Sequence, residues 1–237
     1  MKALLLAAGL GTRLGELTKS QPKALVQVGN RPMIDFCIGG LEEIGVTEIL
    51  INVHYKSSLM YDYFLKKTYS TKIELSEEEN LLGTAGTVKK HFKRLSTNDF
   101  IVMHADNYFT GTLQPLLDDH LSRKSGDCGT MATFTTNNPT SCGIVELNQD
   151  KTIKNYFEKV QNPPGNLANA AIYIFTPQIG ESLDKCSGEV LDIGKDLIPK
   201  ISPRLSTSYL GAEFVDIGTP EGLSRAEGLF ASTDSGL

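Results

Sequence analysis

The sequence predicts an α/β fold, a mixed and mostly parallel sheet with helices on both faces. Three observations carry this expectation. The chain opens on a continuous apolar run, residues 2–8, closed by Gly9, which suits a strand buried on both faces as in a parallel sheet. Apolar residues Ile34, Cys37, Ile38, Leu41 and Ile44 then recur at helical spacing and stop at Gly45, and residues 48–54 read as a second strand, completing a β–α–β unit. Beyond it, helix-like and strand-like stretches keep alternating.

The remaining elements come from the same patterns. Residues 57–69 read as a helix, 72–75 as a short strand, 84–95 as a helix and 99–105 as a third buried strand. Past Gly126 the rhythm changes. Residues 130–135, 143–147, 152–158 and 170–175 are strand-like with turn residues between them, so this half is expected to be partly antiparallel. Residues 191–201 read as a helix, 206–210 and 213–217 as short strands, and 219–230 as a closing helix. The chain is expected to form one domain, 1–237, with halves at 1–125 and 126–230 and a frayed tail at 231–237.

Composition narrows the class. Of 237 residues, 40% are hydrophobic and 22% charged, close to globular averages, which argues against disorder, collagen-like repeats and coiled coils. The net charge is −5 and no basic run tracks a nucleic-acid backbone, so polymeric DNA or RNA is not an expected partner. A small anion needs only a local cluster of cations and backbone amides. Cys37, Cys128, Cys142 and Cys186 show no C-x-x-C pair and read as free thiols. The opening apolar run is short and ends in Gly11-Thr12-Arg13 rather than in a cleavage site, and no stretch nears the roughly 20 apolar residues that cross a bilayer. A cytoplasmic protein with no membrane partner is expected.

Leu6-Ala7-Ala8-Gly9-Leu10-Gly11-Thr12-Arg13-Leu14 puts glycines directly after a buried strand, where backbone amides approach phosphate oxygens closely. It is not a P-loop, since no Gly-Lys-Ser/Thr comes after it. Nor is it the dinucleotide G-x-G-x-x-G, because Leu14 stands at the third glycine. The continuation Leu17-Thr18-Lys19-Ser20-Gln21-Pro22-Lys23-Ala24-Leu25, then Arg31-Pro32-Met33, resembles the sugar-1-phosphate nucleotidylyltransferase family. That family opens on L-A-A-G-x-G-T-R-L-x-x-L-T-x-x-x-P-K-x-L-x-x-V-x-x-x-P-M, and this chain matches from Leu6 through Met33. The resemblance extends to about Ala226. It implies a Rossmann-like nucleotide-diphospho-sugar transferase fold, with the nucleotide in the 1–125 half and the sugar phosphate in the 126–230 half. The form resembles short mannose-1-phosphate and heptose-1-phosphate guanylyltransferases, and no appended β-helix is expected.

The chemistry explains these residue types. A sugar-1-phosphate oxygen attacks the α-phosphorus of a nucleoside triphosphate in line with departing pyrophosphate, so negative charge must be neutralised on both sides. The resemblance assigns Arg13 to the leaving phosphates and Lys23 to the phosphates at the reacting centre. It lines the nucleotide with Leu6, Ala8, Gly9, Gly11 and Thr12. Asp106 stands at the carboxyl end of the 99–105 strand, where open α/β sheets bind ligands. Asp216, in Phe214-Val215-Asp216-Ile217-Gly218-Thr219-Pro220-Glu221, matches the late W/F-x-D-x-G-T-P-E element. Together they are the expected Mg²⁺ ligands, since Mg²⁺ takes one or two carboxylates with phosphates and waters. Ala105 departs from the usual glycine before the first aspartate.

Leu82-Gly83-Thr84-Ala85-Gly86 resembles the L-G-T-A/G-G element, which implies that Gly83 and Thr84 lie against the nucleobase. Glu78 aligns with a position directed at the base edge. A carboxylate accepts from the two adjacent donors guanine offers, N1–H and N2–H₂, whereas uracil or thymine offers one, so GTP is favoured. For the acceptor, Ser141-Cys142-Gly143-Ile144-Val145-Glu146 resembles Y-G-V-V-E with Cys142 in place of Tyr. Phe157-Glu158-Lys159 resembles F-x-E-K-P with Val160 in place of Pro, and Asn169-Ala170-Ala171-Ile172-Tyr173 resembles N-A-G-I-Y with Ala171 in place of Gly. These imply sugar-phosphate contacts from Gly143, Glu158, Lys159 and Asn169. His54, His91, His104 and His120 lack metal spacing and are assigned no role.

The expected function is a Mg²⁺-dependent transferase that makes an NDP-sugar and pyrophosphate from an NTP and a sugar 1-phosphate. Rival readings keep the chemistry with UTP, dTTP, CTP or a non-sugar phosphate, or make the chain a nucleotide-sugar sensor without turnover. The expected partners are small molecules, and a homo-oligomer is compatible with the resemblance.

Overall fold

The computed structural model describes residues 1–234, so residues 235–237 of the expected tail lie outside the described residues. In chain order the elements are β1 Lys2–Leu6, α1 Glu16–Ser20, β2 Gln27–Val28, β3 Arg31–Pro32, α2 Met33–Glu43, β4 Glu48–Val53, α3 Ser57–Phe64, β5 Lys72–Glu77, α4 Thr84–Leu95, β6 Phe100–His104, β7 Asn107–Phe109 and α5 Gln114–Leu121. Next come β8 Gly129–Thr135, β9 Gly143–Leu147, β10 Ile153–Glu158, β11 Leu167–Phe175, α6 Gly180–Asp184, a π-helical turn Ile193–Leu197, α7 Ile198–Ile201, β12 Leu205–Tyr209, β13 Phe214–Asp216 and α8 Pro220–Asp234. The architecture is α/β, with a mixed, mostly parallel sheet and helices, as expected.

The chain divides into two compact units, each assembled from segments distant in sequence. The first comprises Met1–Lys2, Leu82–Val102 and Leu113–Gly211, the second Ala3–Leu81, Met103–Thr112 and the segment from Ala212 on.

In the second unit, β1 buries Ala3, Leu4 and Leu5 completely, and β4 runs parallel to β5 in register from Glu48 opposite Lys72 to Val53 opposite Glu77. Strands β1 and β4 are apolar because both faces are covered, whereas β5, Lys72–Glu77, is half-buried and mixed in polarity. Helix α2 buries Ile34, Cys37, Ile38 and Leu41, the stripe its period foretold, together with Met33. The helix expected over 57–69 stops at Phe64. Side chains of α2 capture the residues just beyond it: Asp35 accepts from Tyr69 Oη at 2.7 Å, and Glu42 accepts from Ser70 Oγ at 2.7 Å and Thr71 N at 3.0 Å. Antiparallel β7 and β13 set Phe214 opposite Phe109, with rings stacked at 5.3 Å, and Asp216 opposite Asn107. The closing helix continues through the start of the expected tail to Asp234.

In the first unit, β9 lies between β10 and β11, β8 pairs antiparallel with β11, and β12 pairs parallel with β8, so the mixed character expected past Gly126 is present. Register places Gly143 opposite Glu158. The ladder between β11 and β8 shifts between Asn169 and Tyr173, where Ala171 sits at φ +55° and donates its N–H to Asn169 Oδ1 at 2.9 Å. The helix expected over 191–201 is replaced by the π-helical turn and α7. Asp192 caps the turn by accepting from Lys195 N at 3.0 Å. His120 is buried, with Nδ1 3.1 Å from Thr130 Oγ1 and Nε2 2.9 Å from Asp99 Oδ2.

Candidate functional site

Within the second unit, the four residues expected at the phosphates and metal meet. Lys23 comes directly after Pro22 in a one-turn 3₁₀ segment and its side chain is only 9% exposed. Its ammonium donates to Asp106 Oδ2 at 2.7 Å and to Asp216 Oδ1 at 3.1 Å. Arg13, on the turn after Gly11, donates from Nη2 to Asp216 Oδ2 at 3.0 Å. Gly218 N donates to Asp216 Oδ1 at 2.7 Å, and Ile217 N to the Asp106 carbonyl at 3.0 Å. The short β7–β13 ladder thus brings together two aspartates 110 residues apart in sequence. Burial by itself would raise the Asp106 carboxyl. The Lys23 ammonium, the neighbouring His104 and the hydrogen bond from Lys23 outweigh burial and hold it below the ordinary carboxylate value.

This donor set fits a hard divalent cation. Two carboxylates converge on one point of positive charge, and both are partly exposed, at 33% and 45% of their side chains. That leaves faces open to phosphate and water oxygens, which complete a Mg²⁺ shell. Among the described residues, no group of three or more His, Cys, Asp or Glu is arranged to cage a metal.

The glycine loop is built around Gly11, at φ +68°. A Cβ there would lie 2.7 Å from Thr18 Cγ2 and 3.2 Å from Lys23 Cβ, so glycine lets the loop lie against both. Gly9 and Thr12 are exposed, Leu6 is half-buried at the end of β1, and Ala8 is buried. Ala7 N donates to Asn52 Oδ1 at 2.8 Å, and Asn52 Nδ2 donates to Glu78 Oε1 at 3.0 Å. Of the three consecutive glutamates only Glu78 is buried, so this residue and the start of the glycine loop share one asparagine. Asn52 was missed in the sequence, although a polar residue inside the buried run of β4 was the available signal.

Within the first unit, Gly83 is at φ +76° and a Cβ there would lie 2.3 Å from the Leu191 carbonyl oxygen. Ala85 N donates to that oxygen at 2.9 Å. Thr84 Oγ1 donates to Asp192 Oδ2 at 3.2 Å and accepts from Ile193 N at 2.8 Å. The residues expected on the sugar side gather around a tyrosine. Tyr156 Oη donates to Glu158 Oε2 at 2.5 Å, and Asn169 Nδ2 donates to Tyr156 Oη at 3.2 Å and to Tyr173 Oη at 2.7 Å. Lys159 Nζ lies 3.5 Å from Glu158 Oε1, and its own backbone is at φ +51°. The F-x-E-K spacing puts Tyr156, not Phe157, two residues before Glu158, which corrects the alignment of that element. Burial, then the Tyr173 and Glu158 side chains, pushes the Tyr156 hydroxyl well above its ordinary value; burial does the same for Tyr173. Both hydroxyls are therefore protonated at neutral pH.

The four cysteines are free, with only Cys142 not fully buried. No helix among the described residues is long and apolar enough to cross a membrane.

Residues 2–232 match the model of a family described as nucleotidyl transferase. Among curated relatives, a mannose-1-phosphate guanyltransferase of Aspergillus oryzae is 35% identical over 229 residues, covering 93% of this chain and 62% of its own length. A mannose-1-phosphate guanylyltransferase catalytic subunit beta of Dictyostelium discoideum is 33% identical, covering 98% and 65%. The chain thus spans less than two thirds of the length of these relatives. Among solved structures, HddC from Yersinia pseudotuberculosis complexed with GMP-PN superposes with a TM-score of 0.78 at 24% identity, covering 97% of this chain and 99% of that one. A UDP-glucose pyrophosphorylase complexed with UDP-glucose gives 0.82 at 20% identity, covering 98% of each. These two establish the likeness of fold.

Proposed function

The chain belongs to the nucleotidyl transferase family, and from that premise we propose that it joins an NTP, with GTP favoured, to a sugar 1-phosphate, releasing pyrophosphate by Mg²⁺-assisted in-line displacement. The observation that carries this reading is the convergence of Lys23 and Arg13 on Asp106 and Asp216. Cations that can turn toward phosphate stand beside carboxylates suited to a hard divalent ion. The names of the guanylyltransferase relatives support the choice of GTP and of mannose 1-phosphate as the first acceptor to try.

Asp106 and Asp216 would hold the ion, which when bound neutralises charge on the phosphate oxygens. Lys23 and Arg13 supply fixed positive charge to the reacting and leaving phosphates. The exposed amides of Gly9 and Thr12 accompany the triphosphate, with Leu6, Ala8 and Gly11 beneath it. Glu78, held by Asn52, accepts from the guanine edge, and Gly83 and Thr84 lie against the base. Glu158 accepts from sugar hydroxyls and Lys159 holds the sugar's phosphate, while Gly143 and Asn169, expected to touch the sugar, stand behind them against Tyr156. A phosphate nucleophile is already ionised, so no histidine is needed as a base. The partners are small molecules, and the cytoplasm, where NTPs abound, is the setting we assign.

The test is pyrophosphate release from GTP, UTP, dTTP and CTP, each with mannose, glucose and heptose 1-phosphates, in Mg²⁺ and then in EDTA. Metal-dependent release with GTP and one sugar 1-phosphate is the expected result. Nucleotide binding without release from any pair would contradict it.

A further inference from the structure

The sugar-side cluster holds a hydroxyl that the F-x-E-K pattern does not call for. Where that pattern has phenylalanine, this chain has Tyr156, and its Oη lies over a floor of two glycines. A Cβ on Gly143 would stand 2.0 Å from Tyr156 Oη and 2.8 Å from Glu158 Oε2, and a Cβ on Gly194 would stand 3.0 Å and 2.5 Å from the same atoms. The two glycines lie far apart in sequence, one in β9 and one in the π-helical turn, and both leave room for the same pair of oxygens. Neither is forced by its backbone, since neither has positive φ.

Polarity runs one way through the cluster. Asn169 gives one amide N–H to Tyr156 Oη and one to Tyr173 Oη, while its carbonyl accepts from Ala171 N. With Asn169 donating to it, Tyr156 Oη has its own proton left for Glu158 Oε2, at 2.5 Å. Glu158, 17% exposed in its side chain, therefore has one carboxylate oxygen anchored inside the protein. The other, Oε1, faces the Lys159 ammonium at 3.5 Å. A hydroxyl bond to a carboxylate is directional and stronger than a neutral one, so it fixes the plane of the carboxylate.

We propose that Tyr156 is a positioning and specificity-determining residue for the acceptor: through its bond to Oε2 it fixes Glu158 so that Oε1 and the Lys159 ammonium are presented together to a ligand carrying a hydroxyl and a phosphate. Gly143 and Gly194 are the complementary feature, because a methyl group at either would displace the phenol and the carboxylate together. Asn169 acts one step further back, orienting the phenol rather than spending its amide on the ligand. The proposal rests on the assignment of this cluster to the sugar phosphate.

The experiment compares wild type with Tyr156→Phe, which keeps the ring and removes only the hydroxyl. Two readouts are taken: KM for mannose 1-phosphate and for GTP in turnover, and direct binding of mannose 1-phosphate by calorimetry. Loss of a hydrogen bond to a charged group predicts that KM and Kd for mannose 1-phosphate rise roughly tenfold or more, while KM for GTP stays within about twofold. Gly194→Ala should give the same acceptor-selective pattern. Unchanged acceptor binding in Tyr156→Phe, or equal changes in both KM values, would overturn the proposal. If wild type binds mannose 1-phosphate without turnover, the transfer reading fails; selective weakening by Tyr156→Phe would still support the role of Tyr156.

Discussion

Lys23 Nζ lies 2.7 Å from Asp106 Oδ2, and the same ammonium reaches Asp216 Oδ1 at 3.1 Å. One buried lysine thus holds together two carboxylates that otherwise repel each other. Replacing it with Met keeps the length and apolar stem but removes the charge. Lys23→Met should lower turnover by about a hundredfold or more, on the scale of losing one preorganised donor to a transferring phosphate. The same variant, without nucleotide, should bind Mn²⁺ at least tenfold more tightly than wild type, because the cation no longer competes with the ammonium for the two aspartates. Mn²⁺ binding followed by electron paramagnetic resonance checks this. Equal Mn²⁺ affinity in the two proteins would show that Lys23 does not guard the carboxylates.

Gly218 and Gly83 should respond differently to the same substitution. A Cβ on Gly218 would meet the ends of movable side chains, 2.4 Å from Lys23 Nζ and 2.7 Å from Arg13 Nη2. Gly218→Ala should therefore fold nearly normally yet lose most turnover. A Cβ on Gly83 would meet the Leu191 carbonyl at 2.3 Å, on a backbone at φ +76°. Gly83→Ala should cost stability directly, about 2 kcal/mol or more. Urea midpoints and turnover of both variants separate the two cases.

Ala171 holds a left-handed backbone, φ +55°, where its N–H closes back on Asn169 Oδ1. An L-residue there costs on the order of 1–2 kcal/mol, partly offset by the greater unfolded entropy of glycine. Ala171→Gly is expected to stabilise the fold by about 0.5–1 kcal/mol, a rise in Tm of roughly 1–4 °C for a chain of this size. Calorimetric melting measures it, and a lower Tm would mean that the turn is held by something other than its backbone geometry.

Stability should fall in mild acid through His120. Burial, the largest cause, and the Arg123 charge lower its pKa despite the nearby Asp99. The folded state therefore binds the proton less well than the unfolded chain, where histidine titrates near 6.5. The stabilisation is complete above about pH 6.5 and is lost as pH drops through the lower folded value. His120→Gln, which keeps a polar group facing Thr130 and Asp99, should flatten that decline. Urea midpoints at pH 7.5 and 5.5 for both proteins test the sign.

Much of the fold and site was legible in the sequence, for identifiable reasons. The run 2–8 ending at Gly9 and the stripe Ile34, Cys37, Ile38 and Leu41 are local patterns, and local patterns report burial directly. The motif around Gly11, Arg13 and Lys23 named residues that do meet Asp106 and Asp216. Sequence spacing did not convey why they meet, since the ladder from Asn107 to Phe109 against Phe214 to Asp216 is a three-residue pairing with no period to read. The helix expected over 191–201 begins at Ile193, where Asp192 caps it by accepting from Lys195 N, and its first five residues wind as π-helix before α7, a change of hydrogen-bond spacing that apolar periodicity does not report. Tyr156 escaped notice because its importance lies in a hydroxyl aimed at Glu158 across Gly143 and Gly194, a relationship that exists only once β9, β10 and the π-helical turn are folded.

The most direct measurement is a Mg²⁺ titration of pyrophosphate release from GTP and mannose 1-phosphate, with wild type and Asp106→Asn side by side. The account predicts saturable, EDTA-sensitive release by wild type. For Asp106→Asn it predicts a loss of about a hundredfold or more at every Mg²⁺ concentration, with the fold intact by circular dichroism. Full release by Asp106→Asn at ordinary Mg²⁺ would contradict the claim that the Lys23, Asp106 and Asp216 cluster carries the reaction.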